Sequence, residues 1–88
     1  MKRITDEKRK GFHILLDQAL SKLESPKNKV KPCWSTLTSE ELTAMMLIEV
    51  HELALANISG SSKDKDSEIN DIINIALMYK DNLYRGII

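Results

Sequence analysis

The sequence predicts an all-α protein with one domain, 1–88, in which an antiparallel three-helix unit assembles into a helical-bundle oligomer. Eighty-eight residues suffice for one hydrophobic core only. Three segments carry apolar residues at the spacing of an α-helix, and Pro, Gly and Ser concentrate between them. The hydrophobic content of 42% is high for a chain that buries only about 60–65% of its unfolded surface. We therefore expect a homo-oligomer, either a dimer or a tetramer.

The first helix is predicted at about 5–23. Thr5 is a suitable N-cap, and Asp6 and Glu7 place negative charge at the positive end of the helix dipole. The apolar residues that follow at helical spacing are Phe12, Leu15, Leu16, Ala19, Leu20 and Leu23. This pattern predicts a helix that buries one face.

The second helix is predicted at about 38–57, after a linker in which Pro26 and Pro32 interrupt helical structure. Thr38 and Glu41 fit a capping box, in which each side chain bonds the other residue's backbone N–H. Apolar residues lie nearly all round this helix, which predicts that it is the central one.

The third helix is predicted at about 67–84, with Asp66 or Ser67 as its cap. The segment 58–66 before it is rich in Ser, Gly, Lys and Asp, a composition typical of a flexible loop. A connection this short makes the second and third helices antiparallel neighbours.

The charge and the N-terminus exclude several classes of protein. Thirteen basic and thirteen acidic residues cancel, so no net charge attracts nucleic acid or an anionic membrane. Cys33 is the single cysteine and has no partner for a disulfide. The charged N-terminus is not followed by the apolar core of a signal peptide, and no run approaches the roughly 18 apolar residues of a membrane span. We expect a cytoplasmic protein that binds neither nucleic acid nor membrane.

Four acidic residues on the second and third helices form the candidate chemical site. Glu49 and Glu52 make one pair and Glu68 and Asp71 the other, and the i, i+3 spacing places both members of a pair on one helix face. Antiparallel packing can bring the two pairs together. No Lys or Arg occurs at 32–62 or at 66–79, so these helices supply no basic neighbour to neutralise the acids.

Electrostatics favour a hard divalent cation at this site. Two carboxylates about 6 Å apart repel by roughly 3 kcal/mol at an effective dielectric near 20, and burial adds a desolvation cost. Proton uptake relieves the repulsion, whereas a divalent cation offsets the repulsion and the desolvation together. Ligation by carboxylates alone selects Mg²⁺ or Mn²⁺. A solvated acidic surface is the alternative, because i, i+3 acidic pairs arise easily by chance.

The two acidic motifs resemble those of the MazG-like all-α nucleoside triphosphate pyrophosphohydrolases, whose hallmark is ExxE, a spacer and then ExxD. Here EVHE at 49–52 is followed by fifteen residues and EIND at 68–71. Trp34, the cap at Thr38 and the Leu- and Met-rich helix before the first motif also resemble the family, over about 34–83. Family members often have a further Glu where this chain has Ile48, and another helix after ExxD.

The resemblance implies Mg²⁺-dependent hydrolysis of a nucleoside triphosphate to the monophosphate and pyrophosphate. Glu49, Glu52, Glu68 and Asp71 would ligate Mg²⁺, or Mn²⁺ in its place. Glu52 would also be the catalytic residue that orients or deprotonates the attacking water.

Three further residues are candidates for substrate binding. Trp34 could stack on a nucleobase, although a lone Trp also serves as a core or interface residue. Asn74, one turn after Asp71, could hydrogen-bond a ligating carboxylate or the substrate. Lys80 could reach phosphate only with help from a partner's geometry. His51 points away from both motif glutamates, and we expect it to be a surface or interface histidine.

A function of another class stays open: a non-catalytic helical interaction or regulatory protein, with the acids as a polar layer at an oligomer interface. The short length of the chain favours it. A DNA-binding helix-turn-helix is disfavoured, because the third helix has no basic residue at 66–79.

Overall fold

The structure is a computed structural model that describes residues 3–25 and 34–88. It contains three α-helices, which are α1 (Asp6–Glu24), α2 (Ser39–Ser59) and α3 (Ser62–Tyr84). A 3₁₀ turn, Trp34–Thr36, precedes α2. The described residues include no β-strand, so the predicted all-α class is confirmed. The prolines and Cys33 of the linker lie outside the described residues.

The first two helices begin where their caps predict. The Thr5 hydroxyl accepts a hydrogen bond of 3.1 Å from the backbone N–H of Lys8. At α2 both bonds of the capping box form: Glu41 N–H donates to the Thr38 hydroxyl at 3.1 Å, and Thr38 N–H donates to the Glu41 carboxylate at 3.2 Å. These bonds satisfy N–H groups that the first turn of a helix otherwise leaves unpaired.

The prediction that the third helix begins near Ser67 was wrong, because α3 starts five residues earlier. Its N-cap is Ser61, which shares a second capping box with Asp64 through bonds of 3.2 and 3.0 Å. Of the segment 58–66 interpreted as a loop, the first two residues end α2 and residues 62–66 form the exposed start of α3. Only Gly60 and Ser61 separate the two helices, and a Cβ at Gly60 would lie 2.8 Å from the carbonyl oxygen of Ala56. Glycine therefore permits this tight connection.

The central helix is α3, not α2 as predicted. Both α1 and α2 pack on α3, whereas α1 and α2 do not pack on each other within the part of the chain that the structure describes. The small apolar core draws on all three helices, and the described residues buried in it are Ala19, Leu42, Ala56, Ile75 and Met78. Apolar residues all round α2 predict that more than one of its faces is covered, but they do not identify the neighbour that covers each face.

The solvent-accessible surface of the protomer is unusually large for its mass. Its accessible area is 6946 Å², against about 5,200 Å² expected for a monomeric protein of 10.0 kDa. Its radius of gyration is 14.4 Å, where about 12 Å is usual for this length. The structure of one chain does not test the predicted oligomer, but its exposed apolar side chains leave surface for an interface with another copy.

Length and composition alone would allow α2 to cross a membrane. The core helices of soluble proteins share this property, so it is weak evidence. Most of α2 is exposed in the protomer rather than enclosed by the other helices. No run of consecutive apolar residues in the sequence is long enough for a membrane span. By mean hydropathy over a window, α2 does meet the criterion for such a span.

Candidate functional site

Three of the four predicted metal ligands converge between α2 and α3. Glu49 projects from the face of α2 that packs on α3, beside Glu68 and Asp71, which lie one turn apart on α3. One carboxylate oxygen from each residue lies within 4.8 Å of the others, and all three residues are half-buried. The antiparallel packing inferred from the short connection thus brings the two sequence motifs together.

Glu52 does not join this carboxylate cluster of Glu49, Glu68 and Asp71. Three residues along an α-helix correspond to a rotation of about 300°, so Glu52 projects about 60° to one side of Glu49. It is exposed, and it acts on the cluster through its charge. Its predicted roles as a ligand and as a catalytic residue stay predictions.

The cluster has a basic partner that the helical pattern did not reveal. Lys22, in the last turn of α1, places its ammonium nitrogen 2.7 Å from Oδ1 of Asp71. The same nitrogen donates to the hydroxyl and to the carbonyl oxygen of Ser67 at 2.7 and 2.9 Å. Because Lys22 lies 49 positions before Asp71, no spacing rule within α2 or α3 could have identified it. The interpretation of the acids as lacking a basic neighbour holds within those helices but is wrong for the folded chain.

Burial raises the pKa of Glu49 from its ordinary value of 4.5 to about 7. A side-chain hydrogen bond with Glu68 is the next cause, followed by the negative charges of Asp71, Glu68 and Glu52. Desolvation and repulsion both disfavour the charged carboxylate, so Glu49 keeps its proton to a higher pH than an ordinary glutamate does. The repulsion expected from the sequence is therefore partly relieved by a proton and partly by Lys22.

The donor chemistry of the carboxylate cluster fits a hard divalent cation. In octahedral coordination of Mg²⁺ at about 2.0–2.1 Å, neighbouring ligand oxygens lie about 3 Å apart and opposite ones about 4.2 Å apart. The three carboxylate oxygens, which lie within 4.8 Å of one another, would therefore have to move together by up to about 2 Å to bind one ion. Lys22 contacts Oδ1 of Asp71, which leaves Oδ2 as the other ligand atom of that carboxylate. Glu49, Glu68 and Asp71 could therefore hold Mg²⁺ while Lys22 stays paired.

Asn74 lies beneath the surface one turn beyond Asp71, with only 3% of its area exposed. Its Nδ2 donates a 2.8 Å hydrogen bond to the carbonyl oxygen of Ala19, which ties α3 to α1. Its Oδ1 is buried and has no hydrogen-bond partner among the described residues. This geometry indicates a packing role, and contact with substrate stays a prediction.

Trp34 and Lys80 lie at the other end of α3. The Trp34 indole N–H donates to Asp81 at 2.9 Å, and its carbonyl oxygen accepts from the Asn82 amide at 2.9 Å. These anchors are about 15 Å along the helix axis from Asp71. Lys80 projects from the opposite side of α3 to Asp71, since nine residues correspond to two and a half turns. Its ammonium instead lies 5.7 Å from the centre of the Tyr84 ring. The structure brings neither predicted substrate-binding residue to the carboxylates of its own protomer.

Comparison with known protein families, curated proteins and solved structures finds no match. The geometry of the site and the motif spacing therefore carry the functional argument alone.

Proposed function

We propose that the protein is a cytoplasmic, homo-oligomeric, Mg²⁺-dependent nucleoside triphosphate pyrophosphohydrolase. The observation that supports this most is the convergence of Glu49, Glu68 and Asp71, two residues of the ExxD motif and one of ExxE, on one point. A divalent cation bound between the two helices would offset the mutual repulsion of these three carboxylates.

The chemistry follows from the ligands. Glu49, Glu68 and Asp71 would hold Mg²⁺. The ion would supply neutralisation of the triphosphate and activation of a water for attack on the α-phosphorus, with pyrophosphate as the leaving group. Glu49 must release its proton on binding, because a protonated carboxyl is a poor ligand. Glu52, exposed beside the cluster, orients or deprotonates the water. Lys22 keeps Asp71 in place.

A second candidate is a non-catalytic helical interaction protein with a polar layer in place of a metal centre. The observation that favours it is the Lys22–Asp71 ion pair of 2.7 Å, which neutralises one carboxylate without any metal. Partial protonation of Glu49 serves the same end. Under this proposal the protein gains no stability from Mg²⁺.

A turnover assay separates the two functions. The purified protein is incubated with a panel of nucleoside triphosphates and Mg²⁺, and the released pyrophosphate is measured. Glu68→Gln keeps the size of the side chain but removes a ligand charge, so pyrophosphate release is expected to fall at least 100-fold, as loss of a key electrostatic contact does. Glu24→Gln removes an exposed acid of α1 outside the cluster and is the matched control.

Metal binding is measured in parallel as the rise in melting temperature with Mg²⁺. Release of pyrophosphate that needs Mg²⁺ and is lost in Glu68→Gln but not in Glu24→Gln supports the enzyme. No release from any nucleotide, together with an unchanged melting temperature, rejects the enzyme and the metal site and leaves the interaction protein as the better explanation.

A further inference from the structure

The face of α2 that points away from α3 carries an uncharged stripe. Its members are Ala44, Leu47, Ile48, Ala54, Leu55 and Ile58, with His51 at the centre, and all of them are exposed. They recur at i, i+3, i+4, i+7, i+10, i+11 and i+14, the spacing of a helix face that packs along another helix. Leu47 is 64% exposed and Ile58 is 83% exposed. We call this surface the outer stripe.

We propose that the outer stripe docks on the outer stripe of a second copy of this chain, antiparallel about a two-fold axis at His51. This inference specifies the interface of the proposed homo-oligomer and does not depend on the reaction. A two-fold axis at His51 pairs residues whose numbers sum to 102. Leu47 then lies opposite Leu55 of the second copy.

The side-chain sizes agree with this register. Ala44 lies opposite Ile58 of the second copy, and Ile48 lies opposite Ala54, so a large side chain faces a small one at both positions. Interfaces pack well when protrusions of one surface meet depressions of the other. Every pair occurs twice because the axis relates the two copies, as an isologous interface requires.

The charges at the ends of α2 favour antiparallel over parallel pairing. Glu40 and Glu41 are exposed in the first turn, and α2 has no basic residue of its own. Beyond its C-terminus, after Gly60 and Ser61, the first turns of α3 expose Lys63 and Lys65 together with Asp64 and Asp66, so this segment has no net charge. Antiparallel copies place the acids of one beside this neutral segment of the other. Parallel copies would place acids against acids, which repel.

The exposed area is sufficient for a stable dimer. The protomer exposes about 1,700 Å² more than a monomeric protein of its 10.0 kDa mass. A stable interface of standard size covers about 800 Å² of each partner. The stripe is about 21 Å long, at 1.5 Å per residue over fourteen residue steps. Half the circumference of a helix about 10–12 Å across, taken along this length, covers about 400 Å² of each copy. The stripe therefore supplies about half of a standard interface, and residues flanking it on the same side of the protomer must supply the rest.

The test is the mass in solution by light scattering, with matched variants. The wild type is expected at twice 10.0 kDa, and Leu47→Glu at 10.0 kDa. Ile14→Glu is the control, because Ile14 is 62% exposed on α1, close to the 64% of Leu47, but lies outside the stripe. It is expected to leave the dimer intact. The double variant Leu47→Glu/Leu55→Lys pairs opposite charges in the antiparallel register only, and it is expected to recover dimer relative to Leu47→Glu.

Several outcomes would overturn the proposal. One is a wild type that stays monomeric at micromolar concentration, and another is a Leu47→Glu variant that is still dimeric. A double variant no more dimeric than Leu47→Glu would reject the antiparallel register. Flotation of wild type with phosphatidylcholine vesicles, and not of Leu47→Glu, would assign the stripe to a membrane instead. A monomeric but active wild type would reject this interface and leave the proposed reaction standing.

Discussion

Replacing Glu49 by Gln tests the electrostatics of the carboxylate cluster most directly. The pKa of Glu49 rises to about 7 in the folded protein, mainly through desolvation. A carboxyl with a raised pKa stabilises the fold below its ordinary pKa of 4.5 and loses that contribution as the pH rises through about 7. Gln resembles the protonated carboxyl in shape and stays neutral. The variant is therefore expected to be more stable than wild type above neutral pH.

The size of the effect follows from the pKa. A displacement from 4.5 to about 7 corresponds to about 3 kcal/mol in favour of the neutral form, at 1.36 kcal/mol for each unit. Glu49 is only half-buried, so solvent screening reduces the gain to about 1–2 kcal/mol. For a domain of this size, 1 kcal/mol shifts the melting temperature by about 4–8 °C.

The assay is thermal unfolding in a metal-free buffer, at about pH 5 and about pH 8.5, with both proteins at one concentration. Glu49→Gln is expected to melt about 5–10 °C above wild type at the higher pH and close to it at the lower pH. Adding Mg²⁺ at the higher pH is expected to raise the melting temperature of wild type more than that of the variant, because only wild type offers the third charged ligand. A variant no more stable than wild type at the higher pH would refute the proposed repulsion.

Three other substitutions, the first with Gly11→Ala as its control, test particular contacts by thermal unfolding. Gly60→Ala is expected to lower stability by about 1–3 kcal/mol, because its Cβ would lie 2.8 Å from a backbone oxygen. Gly11→Ala is expected to raise stability by about 0.5–1 kcal/mol, because a Cβ there meets nothing within 4 Å and alanine favours the helix. Equal effects at the two glycines would contradict the close approach. Lys22→Met keeps the length of the stem and removes the ion pair with Asp71 together with both hydrogen bonds to Ser67, so a loss of about 1–2 kcal/mol is expected near neutral pH. No loss would show that these contacts together contribute nothing to stability. Trp34→Phe removes the 2.9 Å bond to Asp81 and is expected to cost about 1 kcal/mol, while an unchanged melting temperature would mean that solvent replaces this bond.

Local sequence signals predicted the caps and ranges of α1 and α2 well. Thr5 and the Thr38–Glu41 box act within four residues of chain, so their bonds depend little on the rest of the fold. The start of α3 also has a local signal, the Ser61–Asp64 box, but a composition rich in Ser, Lys and Asp concealed it. Exposed helical turns and loops share these residue types, so composition alone does not separate them.

The sequence by itself determined that the protein is helical, that two acidic pairs lie on two helices, and that α2 is apolar on more than one face. Only the tertiary structure decided which residues meet. It places α3 at the centre, joins Lys22 to Asp71 across 49 positions and leaves Glu52 beside the carboxylate cluster instead of in it. The physical reason is that helical periodicity states which faces avoid water, whereas the partner of each face depends on packing between segments distant in the chain.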